Sequence, residues 1–218
     1  MRDERIGTEM KIEVQLGTAG VERVLKRYHF EAEARTALET LEKAVRPLLQ
    51  ARAYYCWNPA GIPAEGRMAA VLLTLGDGFD ALQDLYLERQ CVSEGYMLDC
   101  IGMELLMEAY EECVRRLQQE CGEYASRLEF LGDRYPLELL EELMPLTGAR
   151  GITYNDQYVM TPRKTVAFLV PMEEQEKPRE DPAQLLHICA NCTNRTCEMR
   201  QEIPATYGYQ RIFGGKKS

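Results

Sequence analysis

The chain has 218 residues, 45% of them hydrophobic and 28% charged, so it can bury a core of its own without crosslinks and lacks the composition of a disordered chain. Its 35 acidic and 26 basic residues leave a formal charge of −9, which argues against nucleic acid or an anionic membrane surface as a partner. No stretch approaches the ~18–20 apolar residues of a membrane-spanning helix, and the charged start MRDERIGTEMKIEVQ has no apolar h-region, so a cytoplasmic protein is expected.

In chain order, the first clear element runs from Glu31 to Gln50. EAEARTALETLEKAVRPLLQ places Ala34, Ala37, Leu38, Leu41, Val45, Leu48 and Leu49 at helical spacing, which predicts an amphipathic helix even with Pro47 near its end. AYYCW (Ala53 to Trp57) and MAAVLLTL (Met68 to Leu75) flank the turn-prone NPAGIPAEG and read as strands, the second buried on both faces. Gly76-Asp77-Gly78 breaks that run, and Asp77 is placed to open the helix FDALQDLYLERQ. After Ser93-Glu94-Gly95 comes a long helix with Leu98, Ile101, Leu105, Ala109, Cys113 and Leu117 in one stripe, flanked by Gly102 and Leu106. Glu104, Glu108, Glu111, Arg115 and Gln118 are expected on its solvated face.

Pro136 to Leu146 predicts a shorter helix with proline in its first turn. GITYNDQYVM and KTVAFLVPM, joined at Thr161-Pro162-Arg163, are β-rich and expected to pair as adjacent strands. EEQEKPRED, from Glu173 to Asp181, is dominated by charge and reads as a linker. Long helices interspersed with strands in no βαβ rhythm predict an α+β fold. The expected organisation is an α+β domain over 1–172, a charged linker over 173–182 and a cysteine-containing tail over 183–218.

In a reducing compartment the eight cysteines are better read as buried thiols plus a metal site than as disulfides. Cys56, Cys91, Cys100, Cys113 and Cys121 are scattered, whereas Cys189, Cys192 and Cys197 cluster in CANCTNRTCEMR. Two thiolates three residues apart can bind one metal from a tight turn, and the third returns across a short loop. A fourth ligand has to come from His187, from Cys56 or Cys100, from a partner or from solvent. Zinc and an iron–sulfur cluster both suit this donor set; a redox dithiol and a tail without metal remain the alternatives. No G-x-S-x-G, P-loop or Rossmann pattern is present, and no residue is assigned a catalytic role.

VLLTLGDGFDALQ, GYMLDCIGMELLMEAYEE, RLEFLGDRYPLELLEELMPL and GITYNDQYVMTPRKTVAFLV, in this order, with ERVLKRYHF ahead of them, resemble the reactivation domain of cobalamin-dependent methionine synthase, particularly its stand-alone versions. The resemblance covers roughly Glu22 to Met172, with Tyr158, Met160 and Pro162 as its most specific local match. It implies a bent antiparallel sheet with packed long helices. It also implies S-adenosylmethionine as ligand, cobalamin carried by a partner, and a role in reductive reactivation. The implied partners are a corrinoid-binding methyltransferase lacking its own activation domain and an electron donor such as a flavodoxin or ferredoxin.

The implied ligand residues are Arg127, Gly132, Tyr135, Tyr158 and Pro162. The family signature places glycine and tyrosine after an arginine and three residues; here Leu131 stands in the glycine slot, Gly132 follows, and Tyr135-Pro136 come later. Close backbone approach to a ligand favours glycine. Arg127 therefore reads either as a contact to the ligand's carboxylate or as a surface arginine, and Tyr158 either as a ligand contact or as strand packing. Two rival functions follow: a non-catalytic binding or regulatory module with a degenerate pocket and a structural zinc knuckle, or an iron–sulfur electron-transfer protein.

Overall fold

The computed structural model describes residues 7–63, 66–132 and 134–174. His187, Cys189, Cys192 and Cys197, with the predicted tail and all but the first residues of the linker, lie outside them. In chain order the elements are β1 (Thr8–Lys11), α1 (Gly17–Arg27), α2 (Arg35–Val45), β2 (Arg52–Trp57), β3 (Met68–Thr74), α3 (Asp77–Glu88), α4 (Val92–Cys121), β4 (Tyr124–Ala125), β5 (Glu129–Phe130), α5 (Leu140–Thr147), β6 (Thr153–Tyr154), β7 (Met160–Thr161) and β8 (Thr165–Glu173). The main sheet is antiparallel in the order β1-β2-β3-β8, and the far side of β8 is shared by β5 and β4.

The sheet separates two apolar layers, and the two-residue period of its strands assigns each side chain to one of them. Ala69, Val71 and Leu73 of β3 join Ala53 and Tyr55 of β2 and Phe168, Val170 and Met172 of β8 in a core filled from α1, α2 and α4. Met68, Ala70 and Leu72 join Tyr54, Cys56, Ala167 and Leu169 in a smaller core closed by Leu140 and Leu143 of α5 and by Ile152. Every residue of β3 is buried, because its nearly continuous apolar run serves both layers at once. The 30 residues of α4 span about 45 Å at 1.5 Å per residue, and its whole predicted stripe, Leu98 to Leu117, lies in the larger core. Gly122 ends the helix in the left-handed conformation, its N–H donating to the Gln118 carbonyl at 2.9 Å.

Several expectations are corrected. The helix expected over Glu31 to Gln50 is three pieces, a 3-10 turn at Ala32–Ala34, then α2, then a second 3-10 turn at Arg46–Leu48, since Pro47 has no N–H to continue the ladder. Asp77 does lie in the first turn of α3, but the capping position belongs to Gly76, at φ 90°. A Cβ there would stand 2.8 Å from that of Gln50. GITYNDQYVM does not pair with KTVAFLVPM. It folds back on itself as the β6–β7 hairpin, where Asn155 Oδ1 accepts the Gln157 and Val159 N–H groups, each at 3.0 Å, while β8 pairs with β3.

Glu104, placed by its spacing on a solvated face, is only 1% exposed. The unpredicted helix α1 covers it, and Arg23 and Arg27 ion-pair with its two carboxylate oxygens.

Candidate functional site

All the candidate residues but Pro162 lie toward the α5 face of the sheet. The chain leaves α4 through β4, crosses Ser126, whose N–H donates to the Pro171 carbonyl at 2.9 Å, and enters β5 beside the middle of β8. Register pairs Glu129 with Leu169 and Phe130 with Phe168. Phe130 therefore packs into the helical core in ring contact with Tyr110 and Phe168, while Leu131 faces the smaller one.

Glu129 is 4% exposed and is the charged centre of this region. Its Oε1 accepts from Nε of Arg127 and pairs with a terminal nitrogen of Arg134 at 2.9 Å; the two arginine side chains are 43% and 60% exposed. Its other oxygen, Oε2, is buried with no hydrogen-bond partner among the described residues. Burial, then the Glu129 charge and a side-chain hydrogen bond from the Tyr135 hydroxyl to the Glu129 carboxylate, push that hydroxyl above the ordinary tyrosine range. Arg127, Arg134 and Tyr135 thus converge on one carboxylate.

Gly132 makes that convergence possible. At φ 86° its N–H donates to the Tyr135 carbonyl at 2.7 Å, closing a tight turn that Leu131 and Tyr135 also bridge. Leu131, expected from the resemblance to stand where the signature has glycine, is bonded into the sheet through its N–H to the Ala167 carbonyl at 3.3 Å. The next turn, Leu137–Leu139, links this region to Tyr158: Leu137 lies against Gly132, and Glu138 contributes negative charge at Tyr158. Tyr158 sits at φ 60°, stacks on Tyr154 with centroids 5.7 Å apart, and donates its hydroxyl to Glu141 Oε1 at 2.6 Å. That bond, with the nearby carboxylate charge, raises its pKa to about 12. Tyr135 and Tyr158 both border the smaller core.

Pro162 is placed differently. It is buried after a cis peptide bond, and the following Arg163 is held to α3, its N–H donating to Asp80 Oδ2 at 2.7 Å and its guanidinium to Asp84 at 2.7 Å. The structure therefore gathers Arg127, Gly132 and Tyr135, sets Tyr158 on the same face, and anchors Pro162 at the α3 junction. Sequence reasoning missed Glu129 and Arg134. The signal for Glu129 was a lone acid inside the apolar run LEFL, next but one to an arginine.

Along the opposite edge of the sheet, Lys11, Tyr55, Arg115, Arg116 and Glu120 help to line an open groove of about 610 Å³ that contains none of the candidate residues. Among the described residues no group of three or more His, Cys, Asp or Glu is placed to hold a metal ion, and no helix is long and apolar enough to cross a membrane. Cys56 and Cys100, considered as a fourth ligand for the tail, are both buried, and burial raises each thiol to about 11. Either would have to ionise inside a sealed core to serve as a ligand.

Among the described residues, an antiparallel sheet covered on one face by long helices and on the other by the short helix α5 defines an α+β protein. Within that class the chain has the fold of the MetH reactivation domain. Its structure is similar to that of the MetH reactivation domain bound to AdoHcy, with a TM-score of 0.56 over 80% of this chain and 81% of that one. Identity is 11%, so the likeness is one of fold. No family model matches the chain, and no curated protein matches it.

Proposed function

We propose that the protein binds S-adenosylmethionine at the Arg127–Tyr135 turn and acts as an accessory protein in the reductive reactivation of a corrinoid-bearing methyltransferase that lacks its own activation domain. The observation that carries this reading is the convergence of Arg127, Gly132 and Tyr135 around Glu129, on a fold shared with a domain whose solved structure holds AdoHcy. Arg127 uses Nε for Glu129, so its terminal nitrogens, on a side chain 43% exposed, suit the carboxylate of an amino-acid ligand. Tyr158 extends the same face toward the partner, and Pro162 holds the chain that follows it to α3.

The chain contributes binding and orientation; the partner's cobalamin and the methyl donor contribute the chemistry. The electron donor is a flavodoxin or ferredoxin, or an iron–sulfur cluster held by Cys189, Cys192 and Cys197 in the tail that follows the 1–172 domain. Titration calorimetry of the full chain with S-adenosylmethionine and AdoHcy tests the reading, with saturable binding expected. No heat at millimolar ligand, with an intact far-UV spectrum, overturns it.

One observation favours a second reading, a binding or regulatory module without this ligand: Leu131 occupies the family's glycine slot and is bonded into the sheet. That module would show no heat with either ligand and would carry stoichiometric zinc in anaerobically prepared protein. A brown, iron-loaded preparation would instead support electron transfer through the tail.

A further inference from the structure

We propose that the groove between β1 and the C-terminal half of α4 takes an extended acidic segment of a partner protein, which adds to β1 as a further strand of the sheet.

Among the described residues β1 is the outermost strand on its side of the sheet. The Ile12 N–H donates to the Ala51 carbonyl at 2.9 Å, and alternation along an antiparallel ladder then turns the backbone groups of Thr8 and Met10 toward β2 and those of Glu9 and Lys11 away from it. The Lys11 carbonyl accepts from Arg116 of α4 at 2.9 Å. The N–H groups of Glu9 and Lys11 and the Glu9 carbonyl have no bond among the described residues. Arg115, Arg116 and Gln119 of α4 stand across the groove of about 610 Å³ from this edge, with Tyr55 between. A strand edge facing a helix across a groove is the arrangement that binds peptides by strand addition: main-chain bonds supply affinity, and the side chains along the walls select the sequence.

Charge selects an acidic segment. Lys11 has no ion-pair partner among the described residues, and Arg115 and Arg116 share the one carboxylate of Glu112. The carboxylates that line the groove are already engaged, Glu9 by Arg52 at 2.7 Å and Glu120 by the Tyr55 hydroxyl and by Trp57 Nε1 at 3.1 Å. The groove thus offers under-neutralised cations on a chain whose formal charge is −9, and acidic side chains on an added strand complement them. Lysine on a short edge strand also serves as ordinary protection against stray pairing. Protection accounts for Lys11 but supplies no facing wall on which two arginines share one carboxylate.

The test is fluorescence anisotropy on the full chain at low salt, where exposed charges are least screened. The probe is a fluorescein-labelled octapeptide of alternating glutamate and valine. One control replaces glutamate by lysine; the other keeps the charge but replaces two valines by proline, which cannot donate to a ladder. The probe is expected to bind at least about tenfold more tightly than either control, the size of two backbone hydrogen bonds or a little less. Glu9→Pro removes an outward N–H together with a negative charge, so electrostatics alone would strengthen binding; strand addition instead predicts a loss of about fivefold, one hydrogen bond. Glu9→Gln should hold or raise the affinity, and Lys11→Gln with Arg115→Gln should lower it about fivefold, as two exposed ion pairs would. Amide exchange of the parent should slow at Glu9 and Lys11 when the probe is added and stay unchanged at Met10, a readout that needs no variant. Probe and controls that bind alike, a Glu9→Pro variant that folds and keeps full affinity, or no added protection at Glu9 and Lys11 overturns the inference. So does sedimentation showing a parent dimer that Glu9→Pro dissociates, which would give the edge to a second copy of this chain.

Discussion

Removing the two arginines that neutralise Glu104 tests how α1 is held to the molecule. Glu104 is 1% exposed on α4 and receives Arg23 Nε on Oε2 at 3.2 Å and Arg27 on Oε1. Replacing both arginines by methionine keeps much of their apolar stems and leaves a buried carboxylate with no counter-charge. Breaking a buried pair in this way costs about 3–5 kcal/mol. The arginine side chains are 42% and 27% exposed, so water already screens part of the attraction, and the expectation falls to about 2–4 kcal/mol. Urea denaturation of the full chain, followed by far-UV dichroism, measures the loss. Adding Glu104→Leu to the double variant should recover at least half of it, because the buried charge goes with the partners it lost. A double variant within about 0.5 kcal/mol of the parent, the range of an ordinary surface change, would refute the reasoning. So would a triple variant less stable than the double.

The thiols and Tyr158 give two more expected outcomes. With iodoacetamide at pH 8, peptide mapping should find Cys91 and then Cys121 alkylated in the folded protein, with Cys56, Cys100 and Cys113 protected until denaturant is added; burial raises these three thiols to about 11, 11 and 12. Tyr158 should ionise late in a spectrophotometric titration, near 12, and Glu141→Gln should bring that step down toward the ordinary ~10, since the Glu141 carboxylate is what retains the phenolic proton. The sign follows from a folded pKa above the unfolded one: this contact's contribution is fully present below pH ~10 and is lost as pH rises toward 12. An unchanged step in the variant would refute the assignment.

What could be read from the sequence was whatever a single element encodes by itself. The unbroken MAAVLLT run needs no partner to declare a strand buried on both faces, and the stripe from Leu98 to Leu117 declares its helix through spacing alone. Helix α1 escaped because GTAGVERVLKR shows only Val21, Val24 and Leu25 as a buried apolar patch, too short a pattern among glycines and charges. Missing α1 then misplaced Glu104, whose burial is created by a neighbour 77 to 81 residues away in sequence. β1 and β5 escaped for a related reason: four and two residues long, they are strands only because β2 and β8 offer them a ladder. At the site, resemblance supplied Arg127, Gly132 and Tyr135, but Glu129 depends on strand register. Pairing opposite Leu169 turns it toward the smaller core, and a one-residue slip would have turned it away.

The placement of Glu129 has a plainer explanation. Short edge strands often carry an inward charge that discourages pairing with another molecule, and β5 is a short strand on the outer side of β8. That account explains why a charge occurs there. It does not explain two guanidinium groups on one oxygen of a carboxylate only 4% exposed, because a charge kept only to repel a neighbour costs least when it is solvated. Among the described residues the helical face of the sheet is filled by α1, α2 and α4, whereas the other face is closed by the eight residues of α5 with Ile152 and the residues packed around them. The turn from Leu131 to Leu139 and the β6–β7 hairpin form the rim of that thinner layer.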